Sequence, residues 1–348
     1  MPIIYGQKLQ NLFKRAKNQG FAIPAVNVTS LSTINAALET AKELGRPIII
    51  QFSHGGGQFL AGKSLDNTHN QASIAGAIAG AKYIHEIVDL YNVDVIIHTD
   101  HCAKKLLPWV DALIVAGEKF YKEHGLPLFS SHMLDLSLEP LDQNLEISQK
   151  YFEKITKMEM HLEIEVGITG GEEDGVNHEG IDNSRLYTQP QDVAFAYEKL
   201  SKISPNFTVA ASFGNVHGVY APGNVHLHPE ILKNSQDFIT QKFNLTDSKP
   251  VNLVFHGGSG STASEVREAV SYGVVKMNLD TDMQWAFWAG VKGYYDEFEP
   301  YLQTNLGNPE GPEKPNKKYY DPRAWLRAGE IGFKEHLTEI YSWLGFEF

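Results

Sequence analysis

One alternation constrains this chain more than anything else, and it repeats eight times. Short apolar, largely β-branched runs, too brief for helices, each give way to a longer segment of helical spacing. The strand-like runs lie at 21–28, 47–52, 95–102, 128–134, 161–166, 207–213, 251–255 and 274–279. The helical segments lie at 30–44, 71–91, 108–124, 139–158, 190–203, 229–243, 262–272 and 282–302. Strict alternation implies a parallel sheet. Eight units predict an α/β fold closed as a (β/α)8 TIM barrel, with residues 1–348 as one domain. A helix at 7–19 precedes the barrel. A Pro/Gly/Lys-rich arm at 307–322 leads to a last helix at 324–344, so 303–348 reads as an extension packed on the barrel or on a partner subunit.

Composition narrows the class. The length of 348 residues would also hold two ordinary domains, but a barrel with extensions fits it. A net charge of −12 argues against nucleic acid or an anionic membrane as partner. The single cysteine, Cys102, permits no internal disulfide, which fits a reducing compartment. The start shows no secretory signal, and no apolar run nears the roughly 20 residues of a membrane span. The expectation is a cytoplasmic protein.

Polar residues gather where strands end, which is where barrel active sites form. Val-Ile-Ile-His-Thr-Asp-His-Cys, 95–102, is an apolar strand that stops at Asp100 and His101. His217 and His256 follow the sixth and seventh strands. Three histidines on one rim with an open fourth position describe a catalytic zinc site. Glu163 and Glu165 share one face of the fifth strand by period two. His98 reads as interior packing or as support behind the site residues, and Cys102 as a small buried thiol. Gly257-Gly258-Ser259-Gly260-Ser261, at the start of a helix, has the backbone of an anion site, and Asp280-Thr281 opens another helix beside it. Glu172 and Glu173 sit in a glycine-bracketed acidic loop, 170–175, placed to bring a general base to the mouth. Gly55-Gly56-Gly57 reads as a loop. The nearby Gly57…Gly62-Lys63-Ser64 matches a phosphate-loop pattern, but the polar turn-rich 65–70 denies it the helix it needs. Lys276 on the eighth strand reads as packing rather than as an imine lysine.

Taken in order and spacing, these pieces resemble the class II, zinc-dependent fructose-1,6-bisphosphate aldolases of the longer bacterial and fungal type. The carriers are Pro24-Ala25-Val26-Asn27, His98-Thr99-Asp100-His101-Cys102-Ala103-Lys104-Lys105, Ser130-Ser131-His132-Met133, 170–175, Ser212-Phe213-Gly214-Asn215-Val216-His217-Gly218, His256-Gly257-Gly258-Ser259-Gly260 and 316–323. The resemblance spans almost the whole chain. It implies a lyase of glycolysis and gluconeogenesis that reversibly cleaves fructose 1,6-bisphosphate to dihydroxyacetone phosphate and glyceraldehyde 3-phosphate. It implies zinc on His101, His217 and His256, with Asp135 and Glu165 holding a second or displaced metal. Asp100 matches the acid/base at the C4 oxygen, Glu173 the base that takes the dihydroxyacetone-phosphate proton, and Asn278 a residue holding the enediolate. Asn27 lies in a matching substrate-binding motif. Gly218, Gly257, Gly258, Ser259, Asp280 and Thr281 match the ketose-phosphate site, and Ser53 and Arg323 the site of the aldehyde's phosphate. Val216, Gly218, Gly257 and Ser259 match a stimulating Na⁺ or K⁺ site. The resemblance also implies a homodimer in which Arg323 is supplied by the partner chain. The alternatives are a tagatose-1,6-bisphosphate aldolase, a zinc-dependent barrel hydrolase and a non-catalytic sugar-phosphate sensor.

Overall fold

All eight expected strands form, and they close on themselves. In the computed structural model, which describes residues 2–173, 176–177, 187–218 and 227–347, the barrel runs β1 (Ile23–Asn27), β2 (Ile48–Phe52), β3 (Val95–Thr99), β4 (Ser131–Leu134), β5 (His161–Val166), β6 (Phe207–Ala211), β7 (Leu253–Phe255) and β8 (Val274–Leu279). Each pairs in parallel with its neighbours, and β8 returns to β1. For 170–173, 176–177 and 217 only the backbone is described. The strands are Val/Ile-rich and almost wholly buried because helices cover their outer side. Several are shorter than the apolar runs that announced them. Leu128 and Phe129 are buried yet precede β4, since the core extends past the ladder.

Register decides which side chains meet inside. Ala25 pairs with Asn278, Asn27 with Gln51, Gln51 with His98, and His98 with Ser131. Polar residues from adjacent strands therefore stand level in the barrel interior. The helix Gly6–Gln19 lies across the other end. Its Phe13 ring meets His161 edge-on, centroids 5.9 Å apart.

One expected loop and the expected arm carry regular structure. Gly55-Gly56-Gly57 is the first turn of a helix, His54–Ala61, not a loop. The reason is packing: a Cβ on Gly57 would sit 2.6 Å from the Ser73 carbonyl, so glycine allows this helix to lie against Gln71–Tyr91. That helix ends at Ala61, before Lys63, so the phosphate-loop pattern has no phosphate-loop geometry. The 307–322 arm holds an antiparallel hairpin, Leu306–Asn308 with Gly311–Pro315, and a short helix, Lys317–Tyr320. Buried Asn316 ties it down by donating to the carbonyls of Thr304 and Gly307. The last helix, Pro322–Trp343, packs on the barrel through Phe333, Leu337, Ile340 and Tyr341. Among the described residues no helix is long and apolar enough to cross a membrane.

Burial also sets an acid limit. His132 and His161 are fully enclosed, and burial holds both near a pKa of about 3. Neither ring nitrogen of His161 has a hydrogen-bond partner. The unfolded chain takes up both protons below about 6.5, but the folded chain does so only near about 3. The stability these neutral rings confer is complete above about 6.5 and is lost as pH falls toward about 3. Each then contributes a slope of about 1.4 kcal/mol per pH unit. Denaturant unfolding at stepped pH is expected to show this loss. His161→Phe should reduce the slope by about one proton, and an unchanged slope would remove His161 from the account.

Candidate active site

At the carboxyl end of β3 the chain turns sharply. His101 takes φ +38°, a left-handed conformation that costs a non-glycine residue on the order of 1 kcal/mol or more. The turn is pinned by the Asp135 amide, which donates to the Cys102 carbonyl at 2.9 Å. The ring that results faces three carboxylates. His101 Nδ1 lies 3.3 Å from Asp135 Oδ2 and 4.0 Å from Glu165 Oε2, and Nε2 lies 4.0 Å from Asp100 Oδ1.

His256, from the end of β7, meets it. The two imidazole centroids are 4.8 Å apart. His256 Nδ1 is 3.2 Å from Glu165 Oε2, and Nε2 is 2.9 Å from Glu163 Oε1. Asn215 fixes the backbone here, donating to the His256 carbonyl at 2.8 Å. Burial disfavours the His256 cation, but Glu163 and Glu165 outweigh it and push the pKa up to about 9. Burial works against the Asp135 anion, but its bonds with His101 and Ser137 hold its pKa below the usual carboxylate range. This is a pocket built to attract a cation.

Two groups of side chains here each bring one ligand atom within 4.8 Å of one another: Asp100, His101 and His256, and His101, Asp135 and Glu165. Imidazole with carboxylate oxygen is a donor set that zinc accepts. In a third group, His98, Asp100 and Glu163, two members are taken by a different cation. The Lys276 ammonium donates to both oxygens of Glu163 at 2.7 Å and to His98 Nε2 at 3.2 Å. The backbone of His217 lies beside Gly171, where the strand Val216–His217 pairs with Gly170–Glu173. The 170–175 stretch is therefore partly strand rather than loop. The side chains of His217, Glu172 and Glu173 lie outside what is described, as do Asp174 and Gly175 entirely.

Asp100 is completely buried. The Gln51 amide donates to one of its oxygens and the Asn278 amide to the other, each at 3.0 Å. Gln51 also donates to Asn27 Oδ1. Gln51 escaped the sequence reading, although a lone amide inside Ile-Ile-Ile-Gln-Phe was its signal.

The glycine turn 257–261 stands beside the histidines. Gly257 and Gly260 have φ of +58° and +82°. Gly258 packs so tightly on Met277 that a Cβ would meet its methyl at 2.2 Å. The following helix, Ala263–Ser271, is capped by Thr262, and Glu265 folds back on the Thr262 amide. The helix Thr281–Phe298 starts at Thr281, and the Asp280 carboxylate accepts from Gln284. Ser53 caps His54–Ala61 by accepting from the Gly56 amide at 3.1 Å. A cavity of about 590 Å³ joins Asn27, Ser53 and Asp280, with Lys63 and Phe333 in its wall. Val216 and Gly218 flank His217. Arg323 stands apart: 88% exposed, its guanidinium is paired with Asp321. A cavity of about 660 Å³ at the opposite end of the barrel holds none of the candidate residues.

Comparison with known proteins gives a consistent result. The family model described as "Fructose-bisphosphate aldolase class-II" matches residues 7–347. A fructose-bisphosphate aldolase of Edwardsiella ictaluri is 58% identical over 340 residues, covering 98% of this chain and 95% of the relative. The class 2 enzyme of Escherichia coli is 57% identical over 341 residues, with the same coverage. The crystal structure of the Campylobacter jejuni fructose-bisphosphate aldolase superposes with a TM-score of 0.90 at 56% identity, covering 98% of this chain and 95% of that one. The chain belongs to the class-II fructose-bisphosphate aldolase family.

Proposed function

We propose that Asp100, Glu173, Asn278 and the three histidines carry out the aldol cleavage of fructose 1,6-bisphosphate that membership of this family gives the chain. The supporting observation is the meeting of His101 and His256 beside Asp100 and Glu165, with His101 held at a positive φ. In cleavage the C4 hydroxyl gives its proton to Asp100. The O–H pair becomes the aldehyde's carbonyl bond, and the C3–C4 pair passes to the ketose half. Glu173, as its conjugate acid, returns a proton to C3. When bound by His101, His217 and His256, zinc supplies Lewis-acid withdrawal of charge from the ketose oxygens. Two amides keep both Asp100 oxygens oriented, so the proton moves to a fixed carboxylate rather than a rotating one. Asn278 is shared between Asp100 and the substrate's side of the mouth.

The finer assignments follow the same reading. Asp135 and Glu165 hold a second or displaced metal, and Val216, Gly218, Gly257 and Ser259 take Na⁺ or K⁺. The ketose phosphate sits on Gly218, Gly257 to Ser259 and Asp280-Thr281. Ser53 takes the other phosphate, and exposed Arg323 reaches the partner's site in a cytoplasmic homodimer. Lys276, 2% exposed and locked to Glu163, offers no free amine for an imine. Cleavage assayed before and after EDTA, with zinc added back, tests the reading. Loss and recovery are expected. Activity that survives EDTA but dies with borohydride plus substrate would overturn it. Parallel assay of tagatose 1,6-bisphosphate is expected to show preference for fructose.

A further inference from the structure

Beneath the candidate metal ligands lies a chain of buried polar groups that aldol chemistry does not itself require. It runs Ser131, His98, Lys276, Glu163, His256. Its first four members have at most 7% exposure and the last has none. His98 Nδ1 is 2.7 Å from Ser131 Oγ, and His98 Nε2 is 3.2 Å from the Lys276 ammonium. An ammonium has no lone pair, so Nε2 must be the acceptor and Nδ1 must carry the proton toward Ser131. Burial and the neighbouring Lys276 charge both keep His98 neutral, in agreement. The three Lys276 protons are then all placed: one on His98 and two on the oxygens of Glu163. With an ammonium proton received on each of its oxygens at 2.7 Å, Glu163 stands in this ion pair as the carboxylate. As an ionised carboxylate Glu163 is acceptor only. Its contact of 2.9 Å with His256 Nε2 therefore requires a proton on that nitrogen.

From this we infer that Glu163, held by Lys276 and His98, is a positioning residue that fixes His256 as the Nε2–H tautomer, so that Nδ1 faces the metal. Nδ1 is the nitrogen on the side of Glu165, 3.2 Å away, and of the His101 ring; in the metal-free chain it too carries a proton, toward Glu165, and that is the proton a metal displaces. A carboxylate behind a ligating imidazole orients the ring and raises its basicity. Here the orienting carboxylate is itself anchored by an ammonium on β8, three strands away around the barrel, so the ring cannot turn without disturbing a buried ion pair. The sequence shows this chain only as unconnected polar letters in apolar strands. Register assembles it: His98 is level with Ser131, and Glu163 with Thr208, whose hydroxyl also reaches Glu163 at 3.3 Å.

The inference rests on His256 being a metal ligand, and the test separates the two claims. Zinc affinity is measured by competition with a chromogenic chelator for the wild-type chain and for Glu163→Gln. A fall of about 10- to 100-fold is expected, the usual effect of losing such a partner. The tautomer is read in the unaltered zinc-loaded protein from long-range ¹H–¹⁵N spectra of labelled histidine, which needs no variant to fold. His256 should show Nε2–H with Nδ1 shifted by zinc. Wild-type protein that binds no zinc overturns the metal reading and the inference together. Zinc bound through His256 Nε2, or a folded Glu163→Gln with unchanged affinity, overturns the inference alone.

Discussion

Asp100→Ala is expected to lower kcat for fructose 1,6-bisphosphate cleavage by about 10² to 10⁴-fold, the usual worth of one general acid/base. The geometry makes the effect specific. Asp100 ends a rigid strand, is fully buried, and has each carboxylate oxygen held by an amide. Its backbone amide donates to the Phe52 carbonyl, so the side-chain position is set by the ladder and not by a mobile loop. Truncation removes the proton acceptor at C4 and frees the Gln51 and Asn278 amides. Metal content measured on the purified variant should match the wild type, because His101 keeps its contacts with Asp135 and Glu165. Asp100→Asn separates chemistry from packing: it preserves the volume but cannot take the proton. Both variants should fall together in kcat with KM little changed. Retained turnover in Asp100→Asn would remove Asp100 from proton transfer.

The barrel was legible because parallel strands covered on both sides must be apolar throughout, and eight such runs leave few topologies. The rim chemistry was legible for the same reason: Asp100, His101 and His256 stand where apolar runs stop. Two kinds of residue were not. The triple glycine was read as a loop, whereas the fold uses its lack of a side chain to let two helices touch. The polar interior residues Gln51, His98, Glu163 and Lys276 were seen singly or passed over. Their partners are as distant as 178 positions in sequence, and nothing in one strand reveals the register of another. Lys276 shows the point best. In sequence it is a lysine in an apolar strand, open to packing or catalysis, and only the closing of β8 beside β1 and β7 brings it to Glu163 and His98.

That pairing gives the largest expected effect on stability. Lys276 and Glu163 are each only 2% exposed and meet at 2.7 Å. Lys276→Met leaves the carboxylate buried with its strongest partner gone, which typically costs about 3–5 kcal/mol. Removing both charges together is far milder, since a buried pair roughly offsets its own desolvation. Denaturant unfolding at pH 7 should therefore rank Lys276→Met well below the wild type and Glu163→Gln/Lys276→Met above the single variant. The pH dependence carries the same signature. Without the ammonium, burial raises the folded-state pKa of Glu163 above its unfolded value near 4.3. The folded variant then holds a proton that the unfolded chain releases, so its deficit is small below about pH 4 and grows as pH rises through the folded pKa. His256 stands on the other side of Glu163 at 2.9 Å, and its positive charge sets how far that pKa climbs. A single variant within about 1 kcal/mol of wild type across this range would mean that His256 alone satisfies Glu163, and that Lys276 serves the barrel interior by its alkyl stem.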